Sequence, residues 1–148
     1  MQNKNRIQDI AILYKIYNSI NSGYQKKLNQ ESFNNFLKSK SSIFLLSEPL
    51  PVGYLMAIFS YKEIDIISLS IDTNYRRRGF GKKLLLKLKE EARKKKVIKI
   101  FLEVSIENIA ALALYERCNY NCIGRRKKYY NNSNRKIDAN IMCLNLTY

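Results

Sequence analysis

Two apolar runs, "IDIISLSI" at 64–71 and "VIKIFLEV" at 97–104, flank a segment of helical period, and that order leaves few folds open. Within the segment, Gly81, Leu84, Leu85, Leu88 and Ala92 fall within about 100° of one another on a helical wheel, so one face of a helix is built for burial. Lys82, Lys83, Lys87 and Arg93 lie outside that face, and Glu90 with Lys94 and Glu91 with Lys95 stand at i, i+4 in the favourable order for exposed ion pairs. Strand, helix and strand in this sequence form a crossover unit whose two strands must run parallel in one sheet.

The rest of the chain adds antiparallel pieces. Ile7, Ile10, Ala11, Tyr14 and Tyr17 recur at helical spacing and predict a helix over 7–20, broken at Ser22-Gly23. "ESFNNFLKS" carries Phe33, Phe36 and Leu37 on a second, short helical face. Three strands follow, "SIFLLS", "VGYLMAIFS" and "IDIISLSI", separated by breaks short enough for hairpins, which makes an antiparallel meander. Beyond the crossover, "NIAALALYERC" predicts a helix with Asn108 as N-cap and Asn119 in the left-handed turn that ends it. "NCIGRR" and "IDANIMCLNL" close the chain as two strands, with "KKYYNNSNRK" between them expected as a polar loop. No repeat or linker divides the chain. The expectation is one domain over 1–148 of mixed α+β (α/β) class, with a mostly antiparallel sheet and flanking helices.

Composition narrows the function classes. No apolar stretch approaches the roughly 18 residues of a membrane span, and the first residues enter an amphipathic pattern without the apolar core of a secretory signal. A cytoplasmic, monomeric protein with no membrane association is the expectation. Cys118, Cys122 and Cys143 are an odd set, expected as reduced thiols. With no histidine and no second cysteine pair, a metal site is not expected. The net charge of +15 suits a polyanionic partner, but it is scattered through a chain rich in Lys, Asn, Ile and Tyr, which AT-rich codon usage also writes. Direct nucleic-acid binding is therefore open but not favoured.

The stretch "YRRRGFGKK" departs from ordinary helix design. Arg76, Arg77, Arg78, Lys82 and Lys83 surround the positive end of the helix dipole, where each cation is unfavourable by a few tenths to about 1 kcal/mol. An anion belongs there. Gly79 and Gly81 let the backbone turn tightly, so that amides of the first helical turn converge on one spot, the arrangement that binds phosphate. The spacing is neither a Walker A loop nor the dinucleotide G-x-G-x-x-G.

"SIDTNYRRRGFGKKLL" resembles the acyl-CoA pyrophosphate loop of the GNAT N-acetyltransferase superfamily, whose pattern is [RQ]-x-x-G-x-[GA]. "LEV", Asn108, "ALYE", "GRRKKYY" and "DANIM" more narrowly resemble the ribosomal-protein-alanine N-acetyltransferases of the RimI type. The resemblance implies a GNAT fold in which the strands at 64–71 and 97–104 splay apart and admit the pantetheine arm of acetyl-CoA. It implies backbone contacts to that arm from Leu69, Ser70 and Ile71, and diphosphate binding by the amides of Arg77, Arg78, Gly79, Phe80, Gly81 and Lys82. Asn108 matches a family position that contacts the cofactor. Where the family usually has a His-x-Phe-Pro-Trp-like segment after its first helix, this chain has "NSGYQKKLNQESF".

Acetyl transfer to an amine needs a neutral nucleophile, a donor to the developing oxyanion and a proton for the departing thiolate. By alternation Glu103 shares a strand face with Phe101, opposite Ile100, Leu102 and Val104, so a carboxylate is expected to project from a buried sheet, and burial makes it a stronger base. Tyr115 shares a helix side with Ala111 and Cys118. The resemblance implies Glu103 as proton acceptor through water and Tyr115 as proton donor. The bland alternatives are a carboxylate held by some arginine and a core aromatic. A peptide α-amine, of pKa about 8, is partly neutral at pH 7, whereas lysine carries a further deprotonation penalty of roughly 3.4 kcal/mol. The implied acceptor is a protein N-terminus, the N-terminal alanine of a small-subunit ribosomal protein. The competing expectations are another amine, such as aminoacyl-tRNA or a small molecule, and a noncatalytic acyl-CoA or RNA binder.

Overall fold

A computed structural model describes residues 2–21, 23, 26–132 and 135–148, with the side chains of 2–8 and 129–132 outside the described set. The elements run α1 (Gln2–Ser19), α2 (Gln30–Lys38), β1 (Ser42–Leu46), β2 (Gly53–Ser60), β3 (Glu63–Ile71), a single 3-10 turn (Thr73–Tyr75), α3 (Phe80–Lys94), β4 (Lys99–Ser105), α4 (Ile109–Arg117), β5 (Asn121–Asn132) and β6 (Arg135–Asn145). One sheet has the order β1-β2-β3-β4-β6-β5, in which β3 and β4 are the parallel pair and the other pairs are antiparallel. The meander and the crossover expected from the sequence are both present. Ser22 and the side chain of Ile7 lie outside the described residues.

Each sheet face carries its own core. On one face Leu84, Leu85, Leu88 and Ala92 of α3 pack with Leu55, Ala57, Ile64, Ile66, Ile100, Leu102 and Val104, the buried α3 face that the helical spacing predicts. On the other, Tyr17 and Ile20, at the end of α1, and Phe33 of α2 pack with Tyr54 and Met56. Residues 53–57 of β2 are buried without interruption because helices cover that strand on both sides. The aromatic cluster is dense: Tyr17 stacks on Phe33 with centroids 4.6 Å apart, and Phe44 meets Phe33 edge-on at 5.3 Å.

Helices α1 and α2 pack on β1 and β2, and their face of the sheet is open to solvent over β3 and β4. Asp65 and Ile67 are exposed there, and Phe101 and Glu103 are half-buried. That uncovered half of one sheet face carries Glu103.

Two expectations are corrected. The polar segment expected as a loop is strand: β5 and β6 extend through it, pairing Tyr130 with Ile137, Asn131 with Lys136 and Asn132 with Arg135. Lys127, Lys128, Arg135 and Lys136 are exposed. A ribbon wetted in this way has no need of apolar alternation, so the pattern that marks a half-buried strand is missing. On α3, Lys94 pairs with Glu91 at i, i+3 and 2.7 Å, in place of the i, i+4 partner expected from spacing.

Candidate active site

The parallel pair comes apart part-way along. Strands β3 and β4 pair from Glu63 opposite Lys99 to Ile66 opposite Leu102, and beyond that rung β3 is paired only with β2 and β4 only with β6. The cause is local. Opposite β2, Met56 faces Ser68 and Ala57 faces Ile66, so Ile67 is an extra residue, a bulge that bends the strand and shifts its alternation. Ile64 and Ile66 point into the α3 core, and after the bulge Leu69 and Ile71 do so, a change of parity by one residue. A cleft of about 430 Å³ opens beside this point, lined by Asp65, Ile67, Phe101, Glu103, Arg126 and Ile141.

Past β3, the chain is set up to receive an anion. Asp72 accepts the amides of Asn74 (3.0 Å) and Asn21 (3.1 Å), which hold its carboxyl below the usual aspartate range and fasten the start of the loop to the end of α1. Arg77 and Gly79 both take left-handed backbone, with φ of 60° and 85°. Alternation of this kind curls successive amides into a concave nest for an anion. Gly79 is the N-cap of α3, and no side chain caps this helix; Asn29 and Asn108 cap α2 and α4 through their carboxamides. Nothing stands within 4 Å of where a Cβ on Gly79 would be, so the turn opens on free space. Arg77, Arg78 and Lys82 are exposed around it, and Arg78 lies 5.1 Å from the Tyr75 ring centroid. Gly81 is buried, and a Cβ there would come within 3.0 Å of Leu114 Cδ2, so α3 and α4 meet closely just behind the loop.

Helix α4 follows β4 through a tight turn. Asn108 Oδ1 accepts the Ala111 amide at 3.2 Å, the cap expected from the sequence. Asn119 has φ of 67°, the left-handed residue expected at the other end. Tyr115 is buried, 7% exposed, and its ring meets Tyr120 edge-on at 5.8 Å.

The environment of Glu103 differs from the expectation. Alternation places it correctly, with Ile100, Leu102 and Val104 buried on the opposite face. The carboxylate is not enclosed, however: its side chain is 29% exposed, and Arg126 Nη1 donates to Oε1 at 2.9 Å and to Oε2 at 3.2 Å. The helices cover only part of this face, so strand alternation alone overstates its burial. Asp65 stands beside it, and its carboxyl is pushed upward by burial and by the charges of Glu63 and Glu103. Asp65 and Arg126 were not singled out from the sequence. Asp65 lies in an apolar run at the same alternation as Glu103 across the parallel pair, which was the available signal.

With this geometry in place, comparison with known proteins is direct. The model of the acetyltransferase (GNAT) family matches residues 10–120. The chain belongs to the GNAT family. Its relatives include a protein of Escherichia coli (strain K12) named [ribosomal protein bS18]-alanine N-acetyltransferase, 38% identical over 82 residues that make up 55% of each chain. The matched part thus spans about half the length of that relative. Among solved structures, the ribosomal-protein-S18-alanine N-acetyltransferase from Escherichia coli superposes with a TM-score of 0.79 at 25% identity, covering 95% of this chain and 90% of the other. An Arabidopsis thaliana structure, NAA60 in complex with acetyl-CoA, reaches 0.74 at 18% identity and covers 94% of both chains.

For a GNAT chain, the site residues named from the sequence fall into two groups. Leu69, Ser70 and Ile71 stand at the parted end of β3, and residues 77–82 cover the turn into α3 and its first residues. Glu103 faces the open cleft, whereas Tyr115 is buried in the α3 and α4 core with Leu102 and Val104. The two sit on opposite faces of the sheet. Among the described residues no group of His, Cys, Asp and Glu is arranged to hold a metal ion, and no helix is long and apolar enough to cross a membrane.

Proposed function

We propose that this chain is an acetyl-CoA-dependent N-α-acetyltransferase whose acceptor is a protein N-terminus, the N-terminal alanine of a small-subunit ribosomal protein. The observation that carries the reading is the parting of β3 and β4 above Ile66 and Leu102, which leaves a slot between two strands of one sheet. The name of the Escherichia coli relative supports the acceptor class, and the acetyl-CoA in the Arabidopsis thaliana neighbour supports the donor.

The residues present fit such a donor. Backbone groups of Leu69, Ser70 and Ile71 line one wall of the slot at the height where a pantetheine arm would pass. Amides from Arg77, Arg78, Gly79, Phe80, Gly81 and Lys82 supply the diphosphate cradle, with the uncapped α3 dipole behind them. Asn108 Oδ1 accepts the Ala111 amide, and its Nδ2 remains as a donor for a cofactor contact. The donor supplies an acyl group on a thioester. Glu103 accepts the acceptor's proton through water, and Tyr115 gives its phenolic proton to the leaving thiolate.

The cleft carries Asp65 beside the Glu103–Arg126 pair, one more acidic than basic group, which suits a cationic α-amine; the acceptor named for the Escherichia coli relative makes aminoacyl-tRNA the weaker reading. A cytoplasmic monomer is part of this proposal. To test it, purified protein and acetyl-CoA are offered an alanine-first ribosomal-protein peptide and an internal-lysine peptide. The α-amine is expected to be modified; preferential lysine modification would overturn the acceptor assignment, and absence of acetyl-CoA uptake by calorimetry would overturn the whole.

A further inference from the structure

We propose that Arg126 is a positioning residue for acetyl transfer, acting through Glu103. This rests on the role of Glu103 proposed above.

The contact crosses three strands. Arg126 on β5 faces Ala139 of β6, and Glu103 on β4 faces Ile141 of the same strand, so the guanidinium spans β6 to reach a carboxylate two strands away. One nitrogen contacts both carboxylate oxygens, at 2.9 and 3.2 Å, which holds the carboxylate end-on towards the guanidinium. The guanidinium also offsets the repulsion between Glu103 and the neighbouring Asp65 carboxylate.

The hairpin is shaped to deliver this side chain. The β5–β6 register shifts between Arg126 and Tyr130, where Lys128 adopts φ of 56°. Asp138 pins the distortion: Oδ1 accepts the Lys128 amide at 2.9 Å, and Oδ2 lies 4.0 Å from Arg125. Bulges re-aim side chains next to active sites, and here the residue at the start of the distortion is the one that reaches the cleft. Arg135 pairs with Glu107, tying the hairpin to the turn after β4. With Arg126 56% exposed, the pair contributes little to folding stability. Its value lies in geometry, because small misplacements of a reacting group are costly.

The test is a double-mutant cycle on the full chain with acetyl-CoA and the alanine-first peptide. Arg126→Gln is expected to lower kcat about tenfold, part of what a general base contributes, while KM for acetyl-CoA and the melting temperature stay within error. Arg126→Lys should recover part of the rate, because one nitrogen makes both contacts and an ammonium can do the same. The double variant with Glu103→Gln should be no slower than Glu103→Gln alone. Multiplicative losses would mean that Arg126 acts on its own, and would overturn the proposal. Loss in Glu103→Gln with none in Arg126→Gln would overturn it alone; full activity in Glu103→Gln would sink the role of Glu103 as well. Independently of turnover, the Arg126 guanidinium should show slowed Nη rotation by NMR, released in Glu103→Gln. Free rotation in the unmodified protein would also overturn the proposal.

Discussion

Ile66 of β3 stands opposite Leu102 of β4 at the last rung these two strands share. Below it they form an ordinary parallel ladder, and above it each strand keeps only its outer neighbour. A molecule seated there would take the place of the missing strand pairing. Acetyl-CoA is therefore expected to slow amide exchange at 67–71 and 103–105 more than in β1 or β2. Thermal stability should rise with ligand, by about 2.7 kcal/mol at a hundredfold excess over Kd. Protection confined to other elements would place the ligand elsewhere.

Gly79 and Gly81 test different things. A Cβ at Gly79 meets nothing, so Gly79→Ala costs only the left-handed backbone, about 1 kcal/mol. The same methyl would occupy the space kept for the diphosphate, and a loss of acetyl-CoA affinity of about tenfold or more is expected, worth about 1.4 kcal/mol. Calorimetry together with chemical denaturation separates the two effects. Unchanged affinity in a folded variant would remove this turn from the binding site.

Much of the frame was legible in the chain. The α3 face of Gly81, Leu84, Leu85, Leu88 and Ala92 followed from helical period, because a single amphipathic helix on a sheet has one way to bury. What could not be read were effects that cross the local pattern. The extra residue at Ile67 changes the parity of β3 without any glycine or proline to mark it. The Arg126 partner of Glu103 is 23 residues away in the chain and depends on a bulge in a polar hairpin. The exposure of Glu103 depends on how far α1 and α2 reach across the sheet, which is a tertiary fact.

Two tyrosines that touch are expected to behave oppositely. Tyr120 is 2% exposed, its hydroxyl is buried with no hydrogen-bond partner among the described residues, and burial pushes its pKa up. Removing an unsatisfied buried hydroxyl while keeping the ring relieves a desolvation cost of about 1 kcal/mol or more. Tyr120→Phe should therefore stabilise the protein, read as a higher urea midpoint at unchanged m-value. Tyr115→Phe, one ring away, should reduce kcat about a hundredfold, the lower range for a general acid. A destabilised Tyr120→Phe, or a fully active Tyr115→Phe, would reject the respective assignment.

Asp65 gives a pH signature. Burial comes first and the Glu63 and Glu103 charges next in raising its carboxyl above the usual range. The folded state therefore holds this proton more tightly than the unfolded chain, so stability contributed by the group is greatest below about pH 3.9, is lost as pH rises through the raised folded value, and stays lost at neutrality. Asp65→Asn removes the ionisable group and should raise the melting temperature at pH 7 while leaving it near the parent below about pH 4. Because the residue is exposed, solvent screening holds the gain under about 1 kcal/mol. Melts of both proteins across that range decide the matter: a variant less stable than the parent at pH 7 would mean that the Asp65 carboxylate is held by favourable contacts instead of being crowded by its acidic neighbours.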